Sequence, residues 1–177
     1  MKIQNGIFLI IIGILSSCTE IYFTEPQPKG IKIAENGLEE LAGEYISSED
    51  TDTLKISKEG IIWSEDDKEE EALGDLIIKK YKGYYFVNLY STEKGLWQLF
   101  AVNNDDPDHL YVTNLTSMDE DRVEELADKK YSTLINEADS LEITYFVLSP
   151  SKRQLIKLLK DPIFDQNRID LKGYNQN

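Results

Sequence analysis

The densest group of oxygen ligands in the sequence lies at 103–109, which reads Asn-Asn-Asp-Asp-Pro-Asp-His. Asp105, Asp106 and Asp108 offer carboxylates, and Ca²⁺ takes about six to eight oxygens from a suitably curved loop. The stretch lacks the turn glycine and the closing glutamate of the known helix–loop–helix calcium sites. Asn, Asp and Pro also favour turns through backbone geometry alone. We therefore keep two interpretations, a metal site at these aspartates and a polar hairpin loop.

Aromatic side chains form a second group with chemical capacity, because an exposed aromatic surface binds sugars and apolar molecules. They lie in β-rich stretches, at Trp63, Tyr84, Tyr85, Phe86, Tyr90, Trp97, Phe100 and Tyr111. Packing in the core is the default role of aromatic residues on strands. The alternative is a ligand platform, and we assign Trp63, Tyr85 and Trp97 to it.

Sets of catalytic residues are harder to find. His109 is the only histidine, and beside acids in a turn we expect it to be solvated. A phosphate-binding glycine loop, a nucleophile elbow, a His-Glu-x-x-His motif and a cysteine pair are all absent. Paired carboxylates can hydrolyse glycosides, but among 33 acidic residues some pair is always available. We predict a protein without catalysis or cofactor, with a carboxylate-based hydrolase as a further alternative.

The only cysteine, Cys18, follows a stretch with the features of an export signal. Lys2 gives a positive start, and Ile7 to Leu15 is an uncharged, mostly apolar run. This run has nine residues, whereas a transmembrane helix needs about 20. The small pair Ser16-Ser17 directly precedes the cysteine, as a cleavage site requires. We therefore predict a signal peptide over residues 1–17.

The residues Leu15-Ser16-Ser17-Cys18 resemble the bacterial lipobox, in which an aliphatic and two small residues precede a cysteine. The resemblance implies cleavage between Ser17 and Cys18, a thioether-linked diacylglycerol on Cys18 and a third acyl chain on the freed amine. Two or more acyl chains hold a protein stably on a membrane. The alternative is an ordinary signal peptide followed by an unmodified cysteine.

Two further stretches, Phe23–Pro28 and Leu148–Ser151, are similar in style to small uncharacterised lipoproteins of Bacteroidetes-type bacteria. This resemblance implies a lipid-anchored protein of the bacterial cell envelope, at the outer membrane, and it implies no activity. It leaves open whether the protein faces the periplasm or the cell surface.

Composition limits the choice of partners. Without residues 1–17 the chain has 160 residues, enough for one domain with a sizeable core. The removed segment contains Lys2 and no acid, so 18 basic and 33 acidic residues remain and the net charge is −15. Such a surface repels nucleic acid. The predicted partners are the membrane, through the lipid on Cys18, and an unidentified envelope protein or glycan.

The segment 18–37 contains Pro26, Pro28 and two glycines, and we predict that it is a lipidated tether. Ile21-Tyr22-Phe23 is too apolar for an idle linker and could dock on the membrane interface or on the domain. A single β-rich domain is expected over 38–172, followed by a tail over 173–177.

Alternating and β-rich runs between turn residues predict an antiparallel meander. The predicted strands are Thr53–Ser57, Ile61–Trp63, Leu76–Tyr81, Tyr84–Tyr90, Leu96–Val102, Leu110–Leu115, Leu141–Leu148 and an edge strand within Ile163–Leu171. On the second hairpin, Tyr84 and Phe86 should face away from Tyr85. The acidic run Glu65–Glu71 should be a solvated loop because its charges repel one another.

Helix signals are fewer. Leu38–Ala42 should form one turn that ends at Gly43. Ser117 and Glu120 have the spacing of a capping box, which predicts a helix to about Lys130. Residues 131–135 continue that pattern or form a strand. Ser149-Pro150 should begin a last helix with buried Leu155, Ile156 and Leu159, stopped at Asp161-Pro162.

Together these elements predict an α+β fold, mainly an antiparallel meander or barrel-like curved sheet with two or three short helices toward the C-terminal half. The sequence favours a non-enzymatic binding or assembly module of the envelope, which should have a filled core and an exposed apolar or aromatic patch. The alternative is a barrel-like carrier of a lipid or small apolar ligand, which should contain a dry interior cavity of at least a few hundred Å³.

Overall fold

The computed structural model describes residues 18–47, 52–65, 68–71, 75–106, 109–119, 122, 132–135 and 145–173. Most of them lie in antiparallel strands of a curled half-barrel sheet, accompanied by short helices. The predicted α+β class with a barrel-like curved sheet is therefore confirmed.

Thirteen strands belong to this sheet in the described part of the chain. They are β1 Cys18–Phe23, β2 Gly43–Ser47, β3 Thr53–Ser57, β4 Gly60–Glu65, β5 Lys68–Glu71, β6 Leu76–Tyr81, β7 Tyr84–Ser91, β8 Leu96–Asn103, β9 His109–Asn114, β10 Ser117–Asp119, β11 Ser132–Ile135, β12 Tyr145–Leu148 and β13 Arg168–Gly173. The helices with described bounds are α1 Gly37–Leu41, α2 Lys152–Leu159 and a 3-10 helix Pro162–Asn167.

The sheet follows the meander that the sequence predicts in its central part. The strands expected at Thr53–Ser57 and Leu76–Tyr81 are confirmed with those bounds. The turn between β6 and β7 uses Lys82 and Gly83 at φ 52° and 82°. Two consecutive positive φ values give the turn that matches the twist of a hairpin, and they explain the glycine there.

The order of the strands closes much of a barrel. Nine strands follow one another as β6-β7-β8-β9-β13-β2-β3-β4-β5, each antiparallel to its neighbours. A branch leaves β8 where Trp97 pairs with Phe23 of β1, and it continues to β12 and β11. Strand β1 runs parallel to β12, and its first residues pair with β10.

Apolar residues pack on both faces of the sheet and form two main cores, with a third and smaller cluster at Tyr22, Tyr145 and Val147. Along β7, Phe86 packs in the first core, with α2 and the 3-10 helix, while Tyr85 and Val87 pack in the second core, inside the curl. Tyr84 lies with Phe86, as alternation along a strand requires. The predicted separation of Tyr84 and Phe86 from Tyr85 is confirmed.

The prediction of a tether over residues 18–37 is wrong. Cys18–Phe23 is a strand within the sheet, and Ile21 and Phe23 are fully buried in the first core. The apolar triplet that begins at Ile21 therefore docks on the domain, and the folded unit includes the segment that we expected to be a linker. Burial removes the apolar surface of these side chains from water, and this stabilises the docked strand. The effect outweighs the linker-like composition of the proline-rich residues that follow.

The proline-rich part of the segment is also bound to the sheet. Asn88 of β7 accepts a hydrogen bond from Gln27 N at 2.6 Å and donates one to Gln27 O at 2.9 Å. Lys79 Nζ donates to Pro26 O at 2.6 Å and to Pro28 O at 3.2 Å. Burial of the Lys79 ammonium lowers its pKa, and nearby Glu25 opposes the shift. These contacts hold residues 26–28 against β6 and β7.

The predicted helix from Ser117 is wrong at its start. Ser117–Asp119 forms strand β10, because its backbone pairs with the first residues of β1 and Met118 is buried in the first core. Apart from Arg122, the rest of the predicted helix to Lys130 lies outside the described residues. Ser132–Ile135 is a strand, which decides the alternative left open for 131–135.

Two other expectations for edge and loop segments are corrected. Within the acidic run Glu65–Glu71, Glu65 ends β4 and Lys68–Glu71 forms β5, which pairs antiparallel with β4 at the end of the sheet. The backbone ladder offsets the repulsion of its charges. The C-terminal strand is Arg168–Gly173, and it lies between β9 and β2 rather than at an edge. Gly173 ends this strand, whereas the predicted tail beyond it lies outside the described residues.

The last α-helix begins two residues later than expected, at Lys152 rather than at Pro150. Ser151 is its N-cap and forms a capping box with Gln154, so Pro150 precedes the cap. The buried positions are Leu155, Leu158 and Leu159. Asp161 then caps the 3-10 helix, whose Phe164 is fully buried. The expected stop at Asp161-Pro162 is confirmed, and the chain turns there into a second short helix.

Candidate functional site

The inside of the curled sheet contains an apolar cleft of about 340 Å³. It is bounded by β3 and β4 on one side, by β7 and β8 on the other, and by β9 and β13 between them. Its lining residues are Leu54, Ile56, Ile61, Trp63, Val87, Leu89, Phe100, Val102, Val112, Asn114 and Ile169. We call this space the barrel cleft. A volume of about 300 Å³ or more is in the range of sites for small molecules.

Strand register explains why one face is so uniformly apolar. Directly opposed residues of an antiparallel pair share a face. Leu54 opposes Trp63 across β3 and β4, and Val112 opposes Ile169 across β9 and β13. The period of two along each strand then brings every second residue into the same cleft. The alternation in Thr53–Ser57 therefore places Leu54 and Ile56 in the cleft, which follows from the strand pairing and not from the sequence pattern alone.

Asn114 is the one polar residue of this lining in the described part of the chain. Its Oδ1 accepts hydrogen bonds from Thr116 N at 2.8 Å and Thr116 Oγ1 at 2.7 Å. The side-chain oxygen is therefore engaged, and the amide nitrogen remains as a donor at the end of the apolar surface. The barrel cleft thus has an apolar body and a polar end.

A second, polar cleft of about 270 Å³ adjoins that end. Asn114 and Ile169 line both spaces, so the two clefts adjoin at these residues. The remaining described residues of its lining are Ser117, Met118, Arg122, Gln166 and Asn167. We call this space the polar mouth.

Arg122 is the charged residue of the polar mouth among the described residues that line it. Its guanidinium donates to Gln166 Oε1 at 2.9 Å, to Asn167 Oδ1 at 3.4 Å and to Pro162 O at 3.4 Å. All three acceptors are neutral. Asn167 is itself fixed by a bond from its Nδ2 to Ser117 O at 2.7 Å.

Another ionisable cluster lies near α1. Glu40 Oε2 accepts from Lys80 Nζ at 2.6 Å and from Tyr85 OH at 2.5 Å. The bond from Lys80 is the main cause that lowers the pKa of the Glu40 carboxyl, and Glu40 in turn raises the pKa of Lys80. Both charges are well exposed, and none of the three residues lines the barrel cleft. We interpret the cluster as a fastening of α1 to the sheet.

The structure does not bring the predicted aromatic platform together. Trp63 lines the barrel cleft, but Tyr85 is only 3% exposed and uses its hydroxyl on Glu40. Trp97 packs against the first core on the other face and contacts Tyr90 at a ring distance of 5.0 Å. The prediction of one platform from these three residues is therefore wrong, because Tyr85 is buried within the second core and Trp97 packs on the other face of the sheet.

The predicted metal site is not assembled in the described residues. Asp105 and Asp106 are exposed, and Asp108 lies outside the described residues. Asn103 Oδ1 accepts from Asp105 N at 2.8 Å, which is the turn geometry that favours Asn and Asp without metal. No group of three or more His, Cys, Asp or Glu side chains that could hold a metal occurs among the described residues.

His109 differs from our expectation of a solvated side chain. Its Nδ1 lies 2.8 Å from Asp170 Oδ1, and its ring stacks on Tyr111 with centroids 5.8 Å apart. The contact joins β9 to β13 across the ladder, where Asp170 opposes Tyr111. Neither His109 nor Asp170 lines the two clefts.

Sequence reasoning missed Asn114 and Arg122 as site residues. In the sequence, Asn114 is an ordinary residue near the end of a predicted strand, and Arg122 lies within the helix predicted from Ser117. Their shared position depends on β9 and β13 being neighbours, and these strands are far apart in the sequence. The only signal for Asn114 in the sequence is its spacing of two residues from Val112, which predicts that both side chains lie on one face of the strand.

Cys18, the predicted site of lipidation, is the first residue of β1. Cys18 pairs with Asp119 and Thr19 with Met118 across β1 and β10. Ser17, the other residue of the predicted cleavage site, lies outside the described residues, as do residues 1–16. In the part of the chain that the structure describes, no helix is long and apolar enough to cross a membrane.

Comparison with known proteins does not extend this description. No protein-family model, no curated protein and no solved structure matches the chain.

Proposed function

We propose that the protein binds a small apolar ligand in the barrel cleft. The observation that carries this proposal is the cleft itself, about 340 Å³ of space whose lining is apolar except for Asn114. Apolar ligands bind in such spaces because the surface of both partners is removed from water. The proposal is the carrier alternative of the sequence analysis rather than the assembly module that composition favours.

The distribution of exposed apolar residues supports this choice. In the described residues, the large hydrophobic side chains that are exposed are Ile33, at 57%, and Tyr111, at 45%. They lie on different segments, and single exposed side chains are normal on soluble surfaces. A docking surface for another protein would instead present a contiguous apolar patch.

We further propose that the protein acts at the bacterial cell envelope, anchored at the outer membrane by a lipid on Cys18. The support is the lipobox Leu15-Ser16-Ser17-Cys18 together with the short apolar run that precedes it. A protein so anchored could hold an apolar ligand in transit near the membrane. Mass spectrometry of the mature N-terminus tests this part, and an unmodified Cys18 would contradict it.

The binding proposal is tested with N-phenyl-1-naphthylamine, a neutral dye that brightens in apolar surroundings. We use the predicted mature chain, residues 18–177, with Cys18→Ser. Ile61→Trp places a larger side chain in the cleft, and we expect it to weaken dye binding by about tenfold or more because the volume is filled. Dye fluorescence is titrated with protein at constant temperature.

Ile33→Trp is the matched control, since it makes the same exchange at an exposed isoleucine outside the cleft. We expect it to leave dye affinity unchanged. Circular dichroism of each variant confirms folding before titration. Equal binding by the two variants, or no binding by the parent chain, would overturn the proposed function.

A further inference from the structure

We propose that the ligand is a single-chain amphiphile with an acidic head group, whose chain occupies the barrel cleft and whose head group binds Arg122. This inference rests on the proposed function and adds the chemical class of the ligand. It follows from the adjacency of the two clefts at Asn114 and Ile169 and from the charge of Arg122 in the polar mouth.

The two clefts adjoin at the residues that they share. Asn114 and Ile169 line both the barrel cleft and the polar mouth. In the proposed pose, a chain that lies along Val112 and Ile169 directs its polar end past Asn114 toward Arg122. An apolar ligand without a polar end would make no hydrogen bond with the polar mouth, which would then contain only water.

The Arg122 guanidinium is suited to an anion. It has five N–H donors in a planar fork that matches the two oxygens of a carboxylate or phosphate. Its three contacts are to neutral oxygens, and two of them are long, at 3.4 Å. Among the described residues, no carboxylate lies within ion-pair distance of it. An acidic head group would add charge-assisted hydrogen bonds, which are stronger than the neutral ones now present.

Because the overall charge is −14, the protein as a whole does not attract anions from a distance. The attraction between Arg122 and an acidic head group is therefore a local one. Repulsion between separated surface charges is largely screened beyond about 8 Å at physiological salt. No Asp or Glu is among the described residues that line either cleft. The described lining of the two clefts is therefore positive or neutral, although the protein as a whole is acidic.

The location of the mouth points to the membrane as the source of the ligand. Met118 lines the polar mouth and pairs with Thr19, the residue next to Cys18. In a protein anchored through Cys18, the mouth would thus lie beside the bilayer surface. Both free fatty acids and phosphate-headed lipids occur there, and both share the proposed chemistry of one chain and an acidic head.

The test is displacement of bound N-phenyl-1-naphthylamine from the mature chain carrying Cys18→Ser. Dodecanoate and 1-dodecanol have the same chain and differ in charge, and we expect dodecanoate to compete about tenfold better. Dodecyl phosphate forms a third arm. Its strength relative to dodecanoate distinguishes a phosphate-headed lipid from a fatty acid as the preferred form.

Arg122→Met should abolish the preference for the acid over the alcohol, and Arg122→Lys should retain part of it. Arg153→Met is the matched control, because Arg153 is exposed on α2 and lines neither cleft. It removes the same charge and should leave the preference intact. The comparison of acid with alcohol on the parent chain does not depend on the folding of any variant.

The two proposals fail in different ways. If the dye binds and the acid and the alcohol compete equally on the parent chain, the acidic ligand is excluded and the apolar site stands. If Arg153→Met loses the preference as fully as Arg122→Met does, the assignment to Arg122 is excluded. If the dye does not bind at all, the proposed function itself is wrong.

Discussion

Asn88 is the residue on which the N-terminal segment depends. Its side chain is fully buried, and its amide makes bonds with the backbone of Gln27 and with the carbonyl oxygens of Ile77 and Phe86. A buried amide that satisfies the backbone of a distant segment acts as a specific fastening, because no hydrophobic residue can replace its donors and acceptor. Lys79 supplies two further bonds to the same segment.

We predict that Asn88→Ala lowers the free energy of unfolding by about 3 kcal/mol, since it leaves Gln27 N–H and buried carbonyl groups without this partner. Urea denaturation measures the change.

Asn36→Ala is the control for this substitution. Asn36 is exposed at the start of α1, and its side chain makes no capping bond. Its replacement should change stability by no more than about 0.5 kcal/mol. A comparable loss from both substitutions would contradict the role of Asn88.

At the scale of elements, β1 joins parts of the sheet that are distant in the sequence. It pairs with β8 at Phe23, with β12 along its length and with β10 at its start. The strand therefore closes the first core beneath α2 and the 3-10 helix. A tether would make none of these contacts, so the stability of the domain distinguishes the two descriptions.

We predict that Phe23→Ala destabilises the domain by about 3–5 kcal/mol, the usual cost of removing a fully buried phenylalanine. Chemical denaturation of the mature chain checks it. Under the tether interpretation the same change would cost almost nothing.

Tyr111→Ala is a suitable control because it also truncates an aromatic residue, one that is 45% exposed. Its loss should be well below that of Phe23→Ala, since it gives up little buried surface. An equal loss would mean that aromatic truncation in general, rather than burial of β1, accounts for the effect.

At the scale of the whole molecule, one curled sheet separates two apolar regions. The first core is covered by helices, whereas the second contains the barrel cleft. The two tryptophans report on different regions, because Trp63 lines the cleft and Trp97 packs against the first core. Ligand binding should therefore affect them unequally.

We predict that 11-bromo-1-undecanol quenches the fluorescence of Trp97→Phe, which retains Trp63, and does not quench Trp63→Phe. Bromine acts at short range, so the signal reports contact with the cleft. Steady-state emission during titration is the measurement. Quenching of Trp63→Phe alone would place the ligand at the other face and contradict the barrel cleft as its site.

Local patterns were sufficient for the central hairpins. Thr53–Ser57 alternates strictly, and Lys82-Gly83 supplies the positive φ values that a tight turn requires. Period and turn chemistry act over a few residues, so they can be read without knowing the partners. For the same reason the last α-helix was predicted from the sequence, and its start at Ser149-Pro150 needed a correction of only two positions.

Patterns misled us where a distant partner decided the outcome. Ser117 has a good local signal for a helix, yet its backbone pairs with β1. The proline-containing segment after Phe23 has a linker composition, yet Asn88 and Lys79 hold it. In both cases the competing interactions come from residues more than 50 positions away, and local propensity is too weak to resist them.

The sequence by itself predicted an export signal that ends at Cys18, and it determined the acidic charge, the strand-rich class and the central strands to within about two residues, since these depend on composition and on short-range periodicity. Only the tertiary structure decided that β13 lies between β9 and β2, and that Asn114 and Arg122 meet at one end of an apolar cleft. The physical reason is that a cleft is produced by the register of strands from distant segments. Register depends on which faces can be buried together, and this is a property of the whole sheet.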